Sequence, residues 1–213
     1  MPRNFNLQIF ALLLTLYLIL NYISLSFLIN EEIYYNSFSS ILPLEEISRI
    51  VSFQNKYGWI SYPIQLITLI VKTCFTAICL YIGFLFSEHK TKFKDIYKVV
   101  LIAEFVFVLY TMIKLGLLLL KDFSTLEQIE AFWPLSLFSL FKDQTVPAWL
   151  LYPLYTANIA EIAYWIVLAF GLSSLKKTKF LQSLRTVLSS YGGGLLLWVV
   201  FLVFMQLYFL ESA

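Results

Sequence analysis

The sequence predicts an all-α, polytopic membrane protein: one domain over residues 1–213, with five transmembrane helices and two short interfacial helices. Three observations predict it. Of the 213 residues, 60% are hydrophobic and only 13% charged, with a mean hydropathy of +0.80. A soluble domain carries close to twice that charged share. Five apolar stretches reach the roughly 20 residues that a bilayer crossing needs. Basic residues also fall in alternate connections, as they do where cytoplasmic loops alternate with external ones. The net charge of +2 is too small to supply a nucleic-acid surface, so the expected partners are the lipid bilayer and other membrane proteins.

The first span covers about residues 7–28 and follows Arg3. Its apolar run from Phe5 to Leu28 exceeds a signal-peptide core, and Ser24-Leu25-Ser26 is a weak cleavage signature, so it is read as a retained span. Residues 43–54 then put Leu44, Ile47, Ile50 and Val51 on one helical face, with Glu45, Glu46 and Arg49 elsewhere. That pattern predicts an amphipathic helix in the outer interface. Tyr57, Trp59 and Tyr62 would anchor the start of the second span, about 63–86, where Pro63 suits the first helical turn. The third span is about 97–120. Residues 124–141 open with Ser124 and Glu127 at capping-box spacing and carry Leu126, Ile129, Phe132 and Trp133, which predicts the second interfacial helix. The fourth span, about 148–172, follows Pro147 and contains Pro153, which predicts a kink. The fifth covers about 187–209.

The connections set an orientation. Arg3, Lys90, Lys92, Lys94, Lys98, Lys176, Lys177, Lys179 and Arg185 fall on one side, against Arg49, Lys56, Lys121 and Lys142 on the other. The side with nine basic residues, rather than four, belongs in the cytoplasm. The N-terminus, His89 and Lys177 are therefore expected inside, and Glu46, Glu127 and the C-terminal Ala213 outside. A plasma or inner membrane is expected in preference to an organelle.

Four ionisable residues interrupt the spans: Lys72, Glu104, Lys114 and Glu161. A charge at the bilayer centre costs roughly 2.5–3.5 kcal/mol on insertion scales, so each must face another helix or a water-filled cavity. At a rise of 1.5 Å per residue, Lys72 lies roughly 14 Å inside its span and Glu161 roughly 20 Å from either end. Glu104 and Lys114 lie roughly 9–10 Å from opposite ends of theirs, shallow enough to snorkel. Glu161 is expected to pair with Lys72 or Lys114, and Lys72–Glu161 is the deepest combination. Asn158 stands one turn before Glu161 and adds an amide to that face. These residues read first as glue between helices; a proton or solute pathway, or a site that a partner subunit's charge completes, are the alternatives.

In the fifth span, Ser189/Gly193 and Ser190/Gly194 form small-xxx-small pairs, which predict close helix packing. Gly192, Gly193 and Gly194 in a row also loosen the helix enough for a hinge. The two cysteines, Cys74 and Cys79, point about 140° apart on a helix and read as small apolar packers.

Catalytic and metal patterns are missing. There is no HExxH, GxSxG or phosphate-binding glycine loop, and no paired intramembrane aspartates. Glu45-Glu46-Ile47-Ser48-Arg49 is one residue short of the EExxxR of membrane-embedded CAAX-type proteases, which also need histidines in their spans. The single histidine, His89, stands in a lysine-rich loop. No enzyme, metal or cofactor is expected.

Phe93-Lys94-Asp95 leads into the third span, and Pro134-Leu135-Ser136-Leu137 precedes the fourth. Asn158, Ile162, Trp165 and Ala169-Phe170-Gly171-Leu172 follow, before a basic loop and a fifth span containing serine and glycine. Over about residues 93–209 the chain thus resembles the Yip-domain family of five-span membrane proteins. The resemblance implies a non-enzymatic protein with a cytoplasmic N-terminus and a short external C-terminus; eukaryotic members take part in vesicle trafficking with small GTPases. The functional expectation is a scaffold, accessory or trafficking-type subunit. The alternative is a small transporter or channel component using the intramembrane Lys/Glu pair.

Overall fold

The structure, a computed structural model, describes residues 5–86, 91–141 and 146–211. Arg3, His89, Lys90, Lys142 and Ala213, used above for orientation, lie outside the described residues. The described chain is predominantly helical, with a single isolated antiparallel bridge and no strand among the described residues. Five of its helical stretches are long and apolar enough to cross a membrane: Phe5–Leu28, Leu44–Phe86, Phe93–Leu119, Ile159–Lys176 and Phe180–Phe209. Helices are the economical answer there, because hydrocarbon offers no partner for an unpaired backbone group.

Helix α1 (Phe5–Ile23) runs on through a π-helical turn at Ser24–Leu28. Two helices then precede the second span. The first of these, α2 (Glu31–Phe38), was not expected; Asn30 caps it by accepting a hydrogen bond from the Ile33 amide. The second, α3 (Leu44–Tyr57), is the expected amphipathic helix and buries Ile47 and Val51. It passes through a tight turn at Gly58–Ile60 into α4 (Ser61–Phe86). The buried positions of α4, from Leu69 through Thr73, Ala77 and Leu80 to Phe84, recur every three or four residues and so form one face. Thr73 and Thr76 can sit in it because each hydroxyl donates to a carbonyl one turn back, Leu69 O at 2.8 Å and Lys72 O at 3.1 Å.

The third span is α5 (Phe93–Ala103) and α6 (Phe105–Leu119), joined at Glu104 with a slight irregularity in the hydrogen-bond ladder. The second interfacial helix is much shorter than expected. Only α7 (Leu126–Glu130) forms, capped by Thr125 rather than Ser124, with the Thr125 hydroxyl accepting from the Gln128 amide. Gln128 Oε1 in turn accepts from the Ser124 amide. The capping box is therefore Thr125–Gln128, one residue later than the Ser124–Glu127 spacing indicated. Beyond it the chain turns at Leu135, in the left-handed region at φ 61°, and makes one short tight turn at Leu137–Leu140.

The fourth span is not one kinked helix. It is α8 (Ala148–Thr156) and α9 (Ile159–Lys176), separated at Ala157–Asn158. The last span is α10 (Phe180–Val187), a π-helical turn at Leu188–Gly192, and α11 (Gly193–Glu211).

The main core lies where α4, α5, α9 and α10 meet, with Leu80, Val100, Leu168, Leu172 and Val187 all fully buried. Helix α1 packs outside it on Leu69, Leu101 and Val108. Close approach at the α4 crossing requires small residues. A Cβ on Gly83 would sit 2.5 Å from Ser190 Cβ, and one on Gly194 2.7 Å from Cys79 Sγ. Gly193, by contrast, has nothing within 4 Å of its would-be Cβ, and Ser189 is exposed. Of the two expected small-residue pairs, only Ser190/Gly194 lies at a helix contact, because the other pair is rotated off that face.

The described loops gather at two ends. At one, Asn6 Nδ2 donates to Lys94 O at 3.1 Å, Lys98 Nζ lies over the Phe5 ring and Lys176 Nζ over Phe84. At the other, the Leu126 amide donates to Ser37 Oγ at 2.8 Å, joining α7 to α2.

Candidate functional site

The break between α8 and α9 exposes backbone groups that need partners, and nearly every partner comes from nearby. The Asn158 side chain plugs both helix ends: its Oδ1 accepts from the Glu161 amide at 2.8 Å, and its Nδ2 donates to Tyr155 O at 2.9 Å and Thr156 O at 3.1 Å. The loop before α8 comes back alongside and pairs as a short bridge. Leu137 N–H donates to Ala157 O at 2.8 Å, and Ile159 N–H donates to Leu135 O at 3.0 Å. Irregular backbone next to a span survives where it is buried in protein or lines a cavity. Both conditions hold here.

Asn158 as cap puts Glu161 in the first turn of α9, where a negative charge is favoured by the helix dipole. The same 3.6-residue period that buries Tyr164, Leu168 and Leu172 turns Glu161 inward, to 9% exposure. Its Oε1 accepts two hydrogen bonds at 2.8 Å, from Trp165 Nε1 one turn along and from the Tyr191 hydroxyl. Tyr191 reaches it from the π-helical turn of the last span, whose extra residue per turn changes how its side chains are aimed.

The expected Lys72–Glu161 pair is not formed. Lys72 Nζ instead donates to Glu104 Oε1 at 2.7 Å, and Tyr17 of α1 donates to the same oxygen at 3.0 Å. The lysine also lies 3.3 Å from the centroid of the Phe107 ring. Glu104 is 1% exposed, so it does not snorkel. Pairing Lys72 with Glu161 rested on depth in continuous helices; the break moves Glu161 to a helix start, and the α4–α5 contact brings Glu104 to Lys72. Lys114 joins neither carboxylate. Its Nζ lies 3.7 Å over the Trp133 ring at the α7 end of the bundle. Glu161 is thus left as a buried carboxylate with no ion-pair partner among the described residues.

Comparison with family models, with curated proteins and with solved structures finds no match to this chain.

Glu161 also lines a groove of about 720 Å³. Its walls are the returning loop at Leu135–Leu140, the broken span at Pro153–Trp165 and the α11 face of Leu195, Leu196, Val199 and Val200. Nearly all of the lining is hydrocarbon. Ser136, Ser139, Thr156, Asn158, Glu161 and Trp165 are its polar-bearing residues, and Gly192 is close enough to Trp165, with a would-be Cβ 3.7 Å from the ring, to keep that wall tight. Of the residues singled out in the sequence, Asn158, Glu161 and Gly192 meet here, whereas Lys72 and Glu104 form a separate pair. Tyr17, Trp165 and Tyr191 were missed as parts of the polar clusters. Tyr17 and Tyr191 carry no sequence signal for that role, since their partners lie on other helices; Trp165 stands four after Glu161 on the same face and was readable. Among the described residues no group of three or more metal-ligating side chains forms.

Proposed function

We propose that this chain is a non-enzymatic integral membrane protein that works as a binding or accessory subunit, and that the groove beside Glu161 is its ligand seat. One observation carries the reading: an unpaired carboxylate at a helix break lines a cavity that is otherwise apolar and of the size ligand pockets have, roughly 300–1,000 Å³. The matching molecule is an amphiphile with a hydrocarbon body and a hydrogen-bond-donating, cationic head. The body would lie on Leu140, Ile162, Leu196 and Val200, and the head would meet Glu161 and Asn158. Such a head removes the cost of an uncompensated buried charge.

The resemblance to the Yip-domain proteins belongs to the same reading. Of the residues that carry it, Leu135, Ser136, Leu137, Asn158, Ile162 and Trp165 line the groove, whereas Phe93-Lys94-Asp95, Pro134 and Ala169-Phe170-Gly171-Leu172 do not. A cytoplasmic N-terminus, with α2, α3 and α7 facing outward, agrees with the clustering of Lys92, Lys94, Lys98 and Lys176 at the other end of the bundle.

Photo-crosslinking to a diazirine-bearing octadecylamine tests the ligand class on the full-length protein in mild detergent. Crosslinks are expected in residues 135–140 and 195–200. Octadecanoic acid should compete poorly and unlabelled octadecylamine well. Loss of a hydrogen bond to a charged group costs about 1.5–3 kcal/mol, so Glu161→Gln should weaken capture about tenfold or more. Equal competition by acid and amine, or full capture by Glu161→Gln, would sink the proposal. A second reading, a small transporter, draws support from the discontinuous span itself, since broken helices form substrate sites in many transporters. It would use Glu161 and Asn158 rather than a Lys/Glu pair, and it requires amine flux into proteoliposomes that Glu161→Gln abolishes.

A further inference from the structure

A second cavity, also of about 720 Å³, lies at the α7 end and carries more polar and charged lining. It gathers Lys114, Glu127, Glu130, Trp133 and Tyr155. Lys114 is held in place rather than left to wander. Its Nζ lies 3.7 Å from the Trp133 ring centroid, and that ring is stacked on Tyr155 at 4.9 Å. The indole is fixed in turn by its Nε1, which donates to Glu130 O at 2.7 Å. No described carboxylate forms an ion pair with Lys114. A cation partly buried in a span, backed by an aromatic ring and with no carboxylate at ion-pair distance, leaves room for an anion to approach it.

The two acids stand elsewhere in the cavity and in a definite order. Lys114 is five residues before the end of α6 at Leu119, about 7–8 Å deeper along the helix. Glu127 and Glu130 lie three apart on α7, beyond that end, and both are exposed. By helix position, then, the lysine belongs to the span side of the cavity and the two acids to its loop side. The headgroup of a zwitterionic phospholipid presents the complementary order, phosphate nearer the hydrocarbon and ammonium farther out. We propose that this cavity seats such a headgroup, with the phosphate on Lys114 and the ammonium on Glu127 and Glu130. One lysine against two glutamates suits a headgroup that carries both charges rather than a purely anionic one.

Native mass spectrometry of the full-length, delipidated protein tests this with three probes: phosphatidylcholine, phosphatidylglycerol and water-soluble phosphocholine. The wild type should bind phosphatidylcholine about tenfold more tightly than phosphatidylglycerol, equivalent to 1.4 kcal/mol. The double variant Glu127→Gln/Glu130→Gln should lose that preference, and because both side chains are exposed its folding is not at stake. Lys114→Gln should weaken both lipids. Phosphocholine should not compete at lipid-like concentrations; if it does, the seat is for a soluble phosphoester and the lipid assignment fails. Equal binding of the two lipids by the wild type, or a preference that survives in the double variant, overturns the proposal.

Discussion

Lys72 and Glu104 meet at 2.7 Å where α4 crosses the third span, with the Tyr17 hydroxyl on the same carboxylate oxygen. Removing one member of a buried ion pair typically costs about 3–5 kcal/mol, because its partner is left uncompensated. The Lys72 side chain is 35% exposed, so Lys72→Met and Glu104→Gln should each lower unfolding stability in detergent by less than that. The double variant should lose clearly less than the sum. Lys72→Met combined with Glu161→Gln should show weaker coupling than the Glu104 pair, since those two residues are not in contact; stronger coupling in that cycle than with Glu104 would reverse the assignment. A second residue-scale test concerns two adjacent glycines. Gly194→Leu drives a side chain into Cys79 and should cost about 1–3 kcal/mol, as overpacking does. Gly193→Leu points into open space and should leave the melting temperature nearly unchanged. Equal losses at the two positions would show that the Ser190/Gly194 face is not the contact.

At the scale of elements, the decisive feature is the interruption at Ala157–Asn158. Asn158 satisfies groups on both sides of it, so Asn158→Ala removes more than a surface cap. The loss should reach or exceed the upper end of the usual 0.5–2 kcal/mol, roughly 2 kcal/mol. Asn158→Asp keeps the acceptor for the Glu161 amide but loses the donor to Tyr155 and Thr156, and it adds a second carboxylate. It should therefore be no better than alanine; full stability of either variant would mean that the break is held by the Leu135–Leu137 bridge alone. The interruption was partly legible. Pro153 announces a disturbed helix, and Asn158 followed three later by Glu161 is a helix-start spacing. Apolar content unbroken on either side hid it, because composition reports where a span lies and not whether its backbone is continuous. The returning loop was not legible: its two bridging hydrogen bonds run between backbone atoms, which every residue carries.

For the whole molecule, orientation is the property that most directly tests the arrangement of spans. In a background lacking Cys74 and Cys79, single cysteines at positions 46 and 127 should react with a membrane-impermeant thiol reagent on intact cells. A cysteine at position 177 should react only after permeabilisation. Labelling of position 177 from outside would invert the orientation, and labelling of all three would break the span count. The same experiment assigns a membrane side to the Lys114 cavity, which lies at the α7 end.

The sequence by itself determined that the chain is helical, that it has five stretches able to cross a membrane, and where the amphipathic α3 lies. Those properties follow from hydrophobicity and from the 3.6-residue period, both local and additive along the chain. It also singled out the four charges that stand deep in the apolar stretches, Lys72, Glu104, Lys114 and Glu161. Only the tertiary structure decided which of them meet. Lys72 found Glu104 rather than Glu161, Lys114 found Trp133, and Glu161 was left to Tyr191 and Trp165. Depth along a span is a sum of residue rises and can be counted, but a partner across a helix contact depends on rotation, crossing and breaks in the backbone, which turn a residue toward one neighbour or another at no change in composition.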